Sequence, residues 1–246
     1  MTRGTHGRAT LRGVVALDGP SGTGKSTVAR RLAAALHARY LDTGAMYRAV
    51  TFAVLRAGID PTDGVAVAEL ARQNVPEIGI EPMVAGGQVV RLAGVDVADE
   101  IRGPAVTAAV SAVAGVPEVR SVLIGEQRRI IADVVDAGGG IVVEGRDIGT
   151  VVAPDADLKV YLTASAAVRA RRRSRQDIAA GRTVTVAATR ADVDRRDALD
   201  TRTTPLRPAE DAVELDSSEL NVEGVIAALL SLVDDRGLRS DPVVPR

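Results

Sequence analysis

Residues 14–32 read VVALDGPSGTGKSTVARRL, an apolar run that passes through a glycine-rich turn into a helical pattern with a lysine at its mouth. Gly19, Pro20, Ser21, Gly22, Thr23, Gly24, Lys25 and Ser26 satisfy the spacing G-x-x-x-x-G-K-[ST] in full, with a strand before and a helix after. Glycine tolerates backbone dihedrals closed to other residues, so consecutive N–H groups can turn inward and form a concave anion site at a helix N-terminus. Lys25 adds a point charge. Ser26 offers a hydroxyl to Mg²⁺, which in such sites bridges the terminal phosphates. The segment from Gly19 through Thr27 is therefore the expected phosphate loop.

Three further apolar runs, IVVEG at 141–145, LKVYL at 158–162 and AVELD at 212–216, alternate with helical spacing. Runs that are continuous instead of alternating belong to parallel strands covered on both faces, which predicts a doubly wound α/β architecture. The pattern STVARRLAAALHARY predicts a helix reaching Tyr40. Two stretches interrupt this rhythm. Between residues 58 and 103, a short helical pattern precedes two extended runs, EIGIEP and QVVRLAG, joined by MVAGG, which predicts a hairpin. From 179 to 208 the chain is rich in Arg, Asp and Thr and poor in large apolar residues, so it is expected to act as a lid and not as core. At 246 residues, 46% of them hydrophobic, the chain can bury a full core. The expected organisation is one domain over 13–234, with an insertion over 58–115, a lid over 179–208, and tails at 1–12 and 235–246.

Composition and spacing exclude several classes. Thirty-one Lys and Arg against thirty-two Asp and Glu leave a net charge of −1, and aromatic residues make up 2%, so neither a polyanion groove nor base stacking is expected. The basic run RARRRSRQD at 169–177 is thus expected to contribute to lid closure over phosphate and not to bind nucleic acid. Cysteine is absent, which removes disulfides and thiolate chemistry and fits a reducing cytoplasm. The most weakly polar stretch, 105–117, falls below the roughly 18 residues of a membrane span. A GTPase would need a base-reading NKxD element, which is missing, and DAGG at 136–139 precedes a strand instead of following one. LDTGA at 41–45 reproduces the triplet of aspartic proteases, but helical spacing on both sides of Asp42 contradicts the β context such a dyad needs. A small-molecule kinase and a non-catalytic nucleotide-binding scaffold both stay open at this point.

From LDTGAMYR at 41–48 onward the motif order becomes specific. GPSGTGKST, LDTGAMYR, DEIR, EGRDIGTVV and RRDALD together resemble the bacterial cytidylate kinase family, over about residues 14–233. That resemblance implies a P-loop kinase fold and transfer of the γ-phosphoryl group of ATP to CMP or dCMP, with Mg²⁺, in a monomer with no nucleic-acid or membrane partner. The insertion becomes the monophosphate-binding subdomain. Arg48 and Arg146 match the family's ligands of the acceptor phosphate, and Thr43 and Tyr47 lie in the same element as Arg48. Asp147 matches the acceptor of the cytosine amine, while Ser111 and Arg120 match readers of the remaining base edge. Arg196 and Asp200 match ribose contacts, and Arg196 joins Lys25 and Arg146 in the expected catalytic set. Near Arg202 the chain is shorter than the family pattern between Asp200 and Pro205, which leaves the reach of Arg202 to the phosphates open. For Asp42, ordering a Mg²⁺-bound water or Lys25 and capping the following helix are both open. Neither His6 nor His37 is expected to take part, since an anionic acceptor phosphate needs no general base.

Overall fold

A computed structural model describes residues 10–74, 78–83, 88–179 and 207–240. The strand before the phosphate loop, β2 (Gly13–Asp18), is buried from Val14 to Asp18. Both of its faces are covered because alternate side chains enter different cores. Val14 and Ala16 pack with Leu41, Met46, Val143 and Ile130, whereas Val15 and Leu17 pack with Val28, Leu32, Val160 and Leu229. A shorter pair, β1 (Thr10–Leu11) and β10 (Arg239–Ser240), runs antiparallel beside the main sheet. These residues fall in the segments expected as tails. They are held because Leu11 is buried and its N–H donates to the Leu36 carbonyl at 2.9 Å.

The main sheet has the order β3-β7-β2-β8-β9, with β3 at Arg39–Asp42, β7 at Gly140–Glu144, β8 at Leu158–Thr163 and β9 at Val213–Asp216. All of its pairings are parallel, as the continuous apolar runs predict. Helices α1 (Lys25–Ala35) and α7 (Val222–Asp235) cover one face, with Val28, Leu32, Leu229 and Val233 buried against it. The other face carries α2 (Thr43–Arg56), α3 (Gly64–Asn74), α4 (Pro104–Ala114) and α5 (Pro117–Asp136). One expectation fails here. The helix predicted to reach Tyr40 stops at Ala35, the chain turns through His37 with a φ of 47°, and edge strand β3 follows. In β3 only Tyr40 and Leu41 are buried, too short an apolar run to announce a strand.

The insertion contains the expected hairpin, β4 (Ile78–Pro82) antiparallel to β5 (Gln88–Leu92), and adds a third strand, β6 (Val95–Asp96). The β5–β6 turn places Ala93 and Gly94 at φ 48° and 80°, the pair of positive values a tight hairpin requires. Ile80, Val90 and Leu92 share a core with Met46 and Leu123, so the small sheet packs onto the helices of the main body. Gln88 joins the two sheets: its Oε1 accepts from the Asp42 N–H at 2.6 Å, and its Nε2 donates to the Asp42 carbonyl at 3.4 Å. Helix α6 (Ala166–Ala179) leads out of β8. Most of the expected lid, with Arg195, Arg196, Asp200 and Arg202, lies outside the described residues. Among the described residues no single helix is long and apolar enough to cross a membrane.

Candidate active site

The phosphate loop turns between the end of β2 and the start of α1. Gly19, Gly22 and Gly24 all take positive φ, and a Cβ on Gly19 would sit 2.1 Å from the Leu162 carbonyl oxygen. No other residue fits there. Lys25 folds its ammonium back into the loop, donating to the carbonyls of Gly19 at 2.6 Å and Pro20 at 2.8 Å. Thr23 Oγ1 closes the turn by donating to the Pro20 carbonyl at 3.2 Å.

Beside the loop, three hydroxyl side chains gather around Glu144 at the end of β7. Ser26 Oγ donates to Glu144 Oε2 at 3.0 Å, and the Tyr40 hydroxyl donates to Glu144 Oε1. Thr43 Oγ1 donates to the Glu144 carbonyl at 2.8 Å. Burial first, and then the charge of Asp42, push the Glu144 carboxyl above the usual carboxylate range, against the pull of Tyr40, Lys25 and Ser26. Burial and the neighbouring Glu144 likewise raise the Tyr40 hydroxyl far above its ordinary value. Asp42 caps α2 by accepting from the Ala45 N–H at 3.1 Å, and its other oxygen lies 3.6 Å from Arg102. The geometry therefore shows the capping role for Asp42.

After Glu144 the chain turns sharply. A Cβ on Gly145 would lie 2.7 Å from Thr43 Oγ1 and 2.5 Å from Ile148 Cδ1, so the turn packs directly against the start of α2. Arg146 and Asp147 project from this turn. Arg146 Nη1 reaches the Gly19 carbonyl at 3.4 Å, which places a guanidinium at the lip of the phosphate loop. Asp147 Oδ2 accepts from Arg120 Nη2 at 2.6 Å, and their side chains are only 9% and 17% exposed. Tyr47 lies beside this pair. Burial, opposed by the Arg120 charge, pushes its hydroxyl up to about 12. Arg48 is held across the cleft, its Nη1 donating to the Ile101 carbonyl at 3.1 Å and to Thr107 Oγ1 at 3.0 Å.

One cavity of about 380 Å³ gathers these groups. Its walls include Ser21, Gly22, Gly24, Lys25, Ser26 and Thr27 from the loop side, and Thr43, Tyr47, Arg48, Ser111, Arg120, Arg146 and Asp147 opposite. Gly19 and Pro20 shape the loop from behind, through the carbonyls that hold Lys25. Four further lining residues, Arg30, Arg102, Glu144 and Arg173, have no individual role at the site in the sequence reading, although Arg102 and Glu144 lie in the DEIR and EGRD motifs and Arg173 in the basic run. Glu144 has the clearest signal, a charged residue ending an otherwise apolar strand. A second cavity of about 490 Å³ flanks the loop, lined by Thr23, Gly24, Thr27, Arg171, Arg175 and Asn221 among others. The basic run on α6 packs against this region: Arg169 donates to the Ser21 carbonyl at 3.2 Å and Arg172 to the Thr23 carbonyl at 2.8 Å. These two arginines brace the phosphate loop.

A loop suited to one set of phosphates thus faces arginines suited to another across one cavity, with the buried Asp147 carboxylate in the wall opposite the loop. Comparison with known proteins agrees. A family model described as "Cytidylate kinase" matches residues 15–235. The chain is 54% identical over 230 residues to the cytidylate kinase of Rhodococcus jostii, covering 93% of this chain and 97% of that one. It is 56% identical over 226 residues to that of Rhodococcus opacus, covering 91% and 95%. With the enzyme of Nocardia farcinica it shares 57% over 222 residues, covering 89% and 93%. The chain belongs to the cytidylate kinase family, whose members are nucleoside monophosphate kinases.

Proposed function

We propose that this protein transfers the γ-phosphoryl group of ATP to CMP and dCMP, giving ADP and the pyrimidine diphosphate. The observation that carries this reading is the single cavity in which Lys25 and the phosphate loop face Arg48, Arg146 and the Arg120–Asp147 pair. Two nucleotides that meet phosphate to phosphate repel one another, and only fixed cations and amide dipoles can offset that repulsion. Arg48 and Arg146 can each grip phosphate bidentately, which a lysine cannot. Lys25, freed from the Gly19 and Pro20 carbonyls, is the cation placed to follow the transferring group.

The residues present fit Mg²⁺. The Ser26 hydroxyl and the Glu144 carboxylate are hard oxygen donors 3.0 Å apart at the loop's edge, the donor chemistry that suits this ion beside phosphate oxygens and water. Bound there, the ion would neutralise charge on the terminal phosphates. Glu144, whose charged form is disfavoured by burial and by Asp42, would be compensated by that cation.

Cytosine is chosen by Asp147, which accepts from the exocyclic amine, while Arg120 fixes the carboxylate's orientation and faces the ring's acceptors. Ser111 supports the same edge. Uracil would set a carbonyl oxygen against Asp147, and such mispairing of buried polar groups discriminates strongly. In-line transfer requires the donor's nucleoside to point away from the acceptor. The second cavity, on the flank of the loop, fits it. Arg196, Asp200 and Arg202, outside the described residues, would close over the phosphates and ribose and exclude water. No protein nucleophile or base is required, because the attacking phosphate oxygen is already anionic. The absence of cysteine suits a cytoplasmic enzyme.

The test is an acceptor panel. With ATP and Mg²⁺, ADP should form fastest with CMP or dCMP. Equal turnover with UMP, AMP or shikimate would point to another small-molecule kinase, and nucleotide binding without acceptor-dependent turnover would point to a scaffold.

A further inference from the structure

We propose that Asp18 is a positioning residue that ties the phosphate loop to the turn carrying Arg146 and Asp147. The inference rests on the functional reading above. Asp18 is the last residue of β2 and is 7% exposed. Its Oδ1 accepts the Ile148 N–H at 2.9 Å and its Oδ2 accepts the Gly149 N–H at 2.8 Å, so both oxygens are spent on the backbone directly after Asp147. The first N–H groups of the helical turn Ile148–Val152 have no partner within the turn, and here a carboxylate about 130 residues away in sequence supplies one.

Packing alone would be served better by an apolar residue at this position, since β2 is otherwise apolar through its buried length and a buried carboxylate is costly. Burial raises the Asp18 carboxyl, and the two amides and Lys25 offset part of that rise, while Asp147 adds to it. What the carboxylate provides is a fixed relation between two halves of the site. The next residue, Gly19, offers its carbonyl to Lys25 at 2.6 Å and to Arg146 at 3.4 Å. Asp18 and Gly19 together therefore hold the donor-side lysine, the acceptor-side arginine and the backbone that aims Asp147. The approach is close: a methyl on Gly149 would sit 3.5 Å from Asp18 Oδ2 and 3.1 Å from Lys159 Cδ. A shift of about 1 Å between the donor and acceptor halves is enough to cost about 100-fold in rate.

Asp18→Asn is nearly isosteric, but its NH₂ must confront one of the two N–H groups. In folded enzyme, KM for CMP should rise and kcat fall, each by about tenfold. The preference for CMP over UMP should fall, while the affinity for a fluorescent ATP analogue stays within about twofold. A merely structural role would lower Tm and leave those constants unchanged, and that result overturns the proposal. If the Asn variant does not fold, Asp18→Glu keeps the charge and both acceptors but displaces the turn by a methylene. Loss of CMP turnover and of base preference at near-native Tm supports the proposal, and wild-type constants overturn it. Wild-type protein that makes no CDP from CMP overturns the functional reading and this inference together. Active wild type beside an unperturbed Asn variant overturns this inference alone.

Discussion

On the proposed function, Glu144 trades stability for chemistry. It is 3% exposed, held by two hydroxyls, and lies near Asp42, with the Lys25 charge offsetting only part of the cost of its burial. A carboxyl whose native pKa is raised binds more protons folded than unfolded, so stability falls as pH climbs from the ordinary glutamate value to the raised native one. The full penalty is then present above that window. Glu144→Gln removes it, and the Ser26 and Tyr40 hydroxyls can rotate to suit the amide. The ligand-free Gln variant should therefore gain in Tm relative to wild type as pH rises through the window, while Mg²⁺-dependent turnover falls by at least about 100-fold. Thermal scans across pH and a Mg²⁺ titration check both halves. A Tm difference independent of pH would contradict the assignment.

At the scale of elements, what was legible in the sequence depended on how each element is stabilised. β2, β7 and β8 bury continuous apolar runs between two helix layers, and two glycines separate the extended runs of β4 and β5 in the sequence, so both types are visible as patterns. β3 is not. It has two buried residues between Arg39 and Asp42, and its place at the sheet edge is fixed by pairing with β7, a partner about 100 residues away. The Ile148–Val152 turn is hidden for the same reason, its first amides being held by Asp18, whereas β6 is hidden because it is only two exposed residues closing a local hairpin onto β5. Gln88 belongs to this class too, since nothing local marks its side chain as the link between the small sheet and the edge of the large one. Gln88→Ala removes both bonds. It should cost about 1 kcal/mol, seen in urea denaturation. It should also speed hydrogen exchange at the Asp42 amide and raise KM for CMP by several-fold with little change for ATP. Equal changes for the two substrates would mean that the insertion is not docked through Gln88.

Across the whole molecule, the phosphate loop can be read from consecutive residues, because its backbone forms the site. The acceptor side cannot. Arg48, Ser111, Arg120 and Asp147 come from α2, α4, α5 and the turn after β7, and only the fold brings them to one cavity. Their types suit an anion and a polar edge, but the 2.6 Å pairing of Arg120 with Asp147 depends on how α5 packs beside β7. Glu144 and Asp18 are visible as polar ends of apolar strands, but what they do is not, because their partners arrive from elsewhere. The central claim is that one buried carboxylate selects the pyrimidine in a cleft whose cations serve both nucleotides. The most direct measurement is the ratio of kcat/KM for CMP to that for UMP, in wild type and in folded Asp147→Ala. The ratio should fall by about 100-fold or more in the variant, with the KM for ATP within about twofold of wild type. An unchanged ratio would contradict the claim.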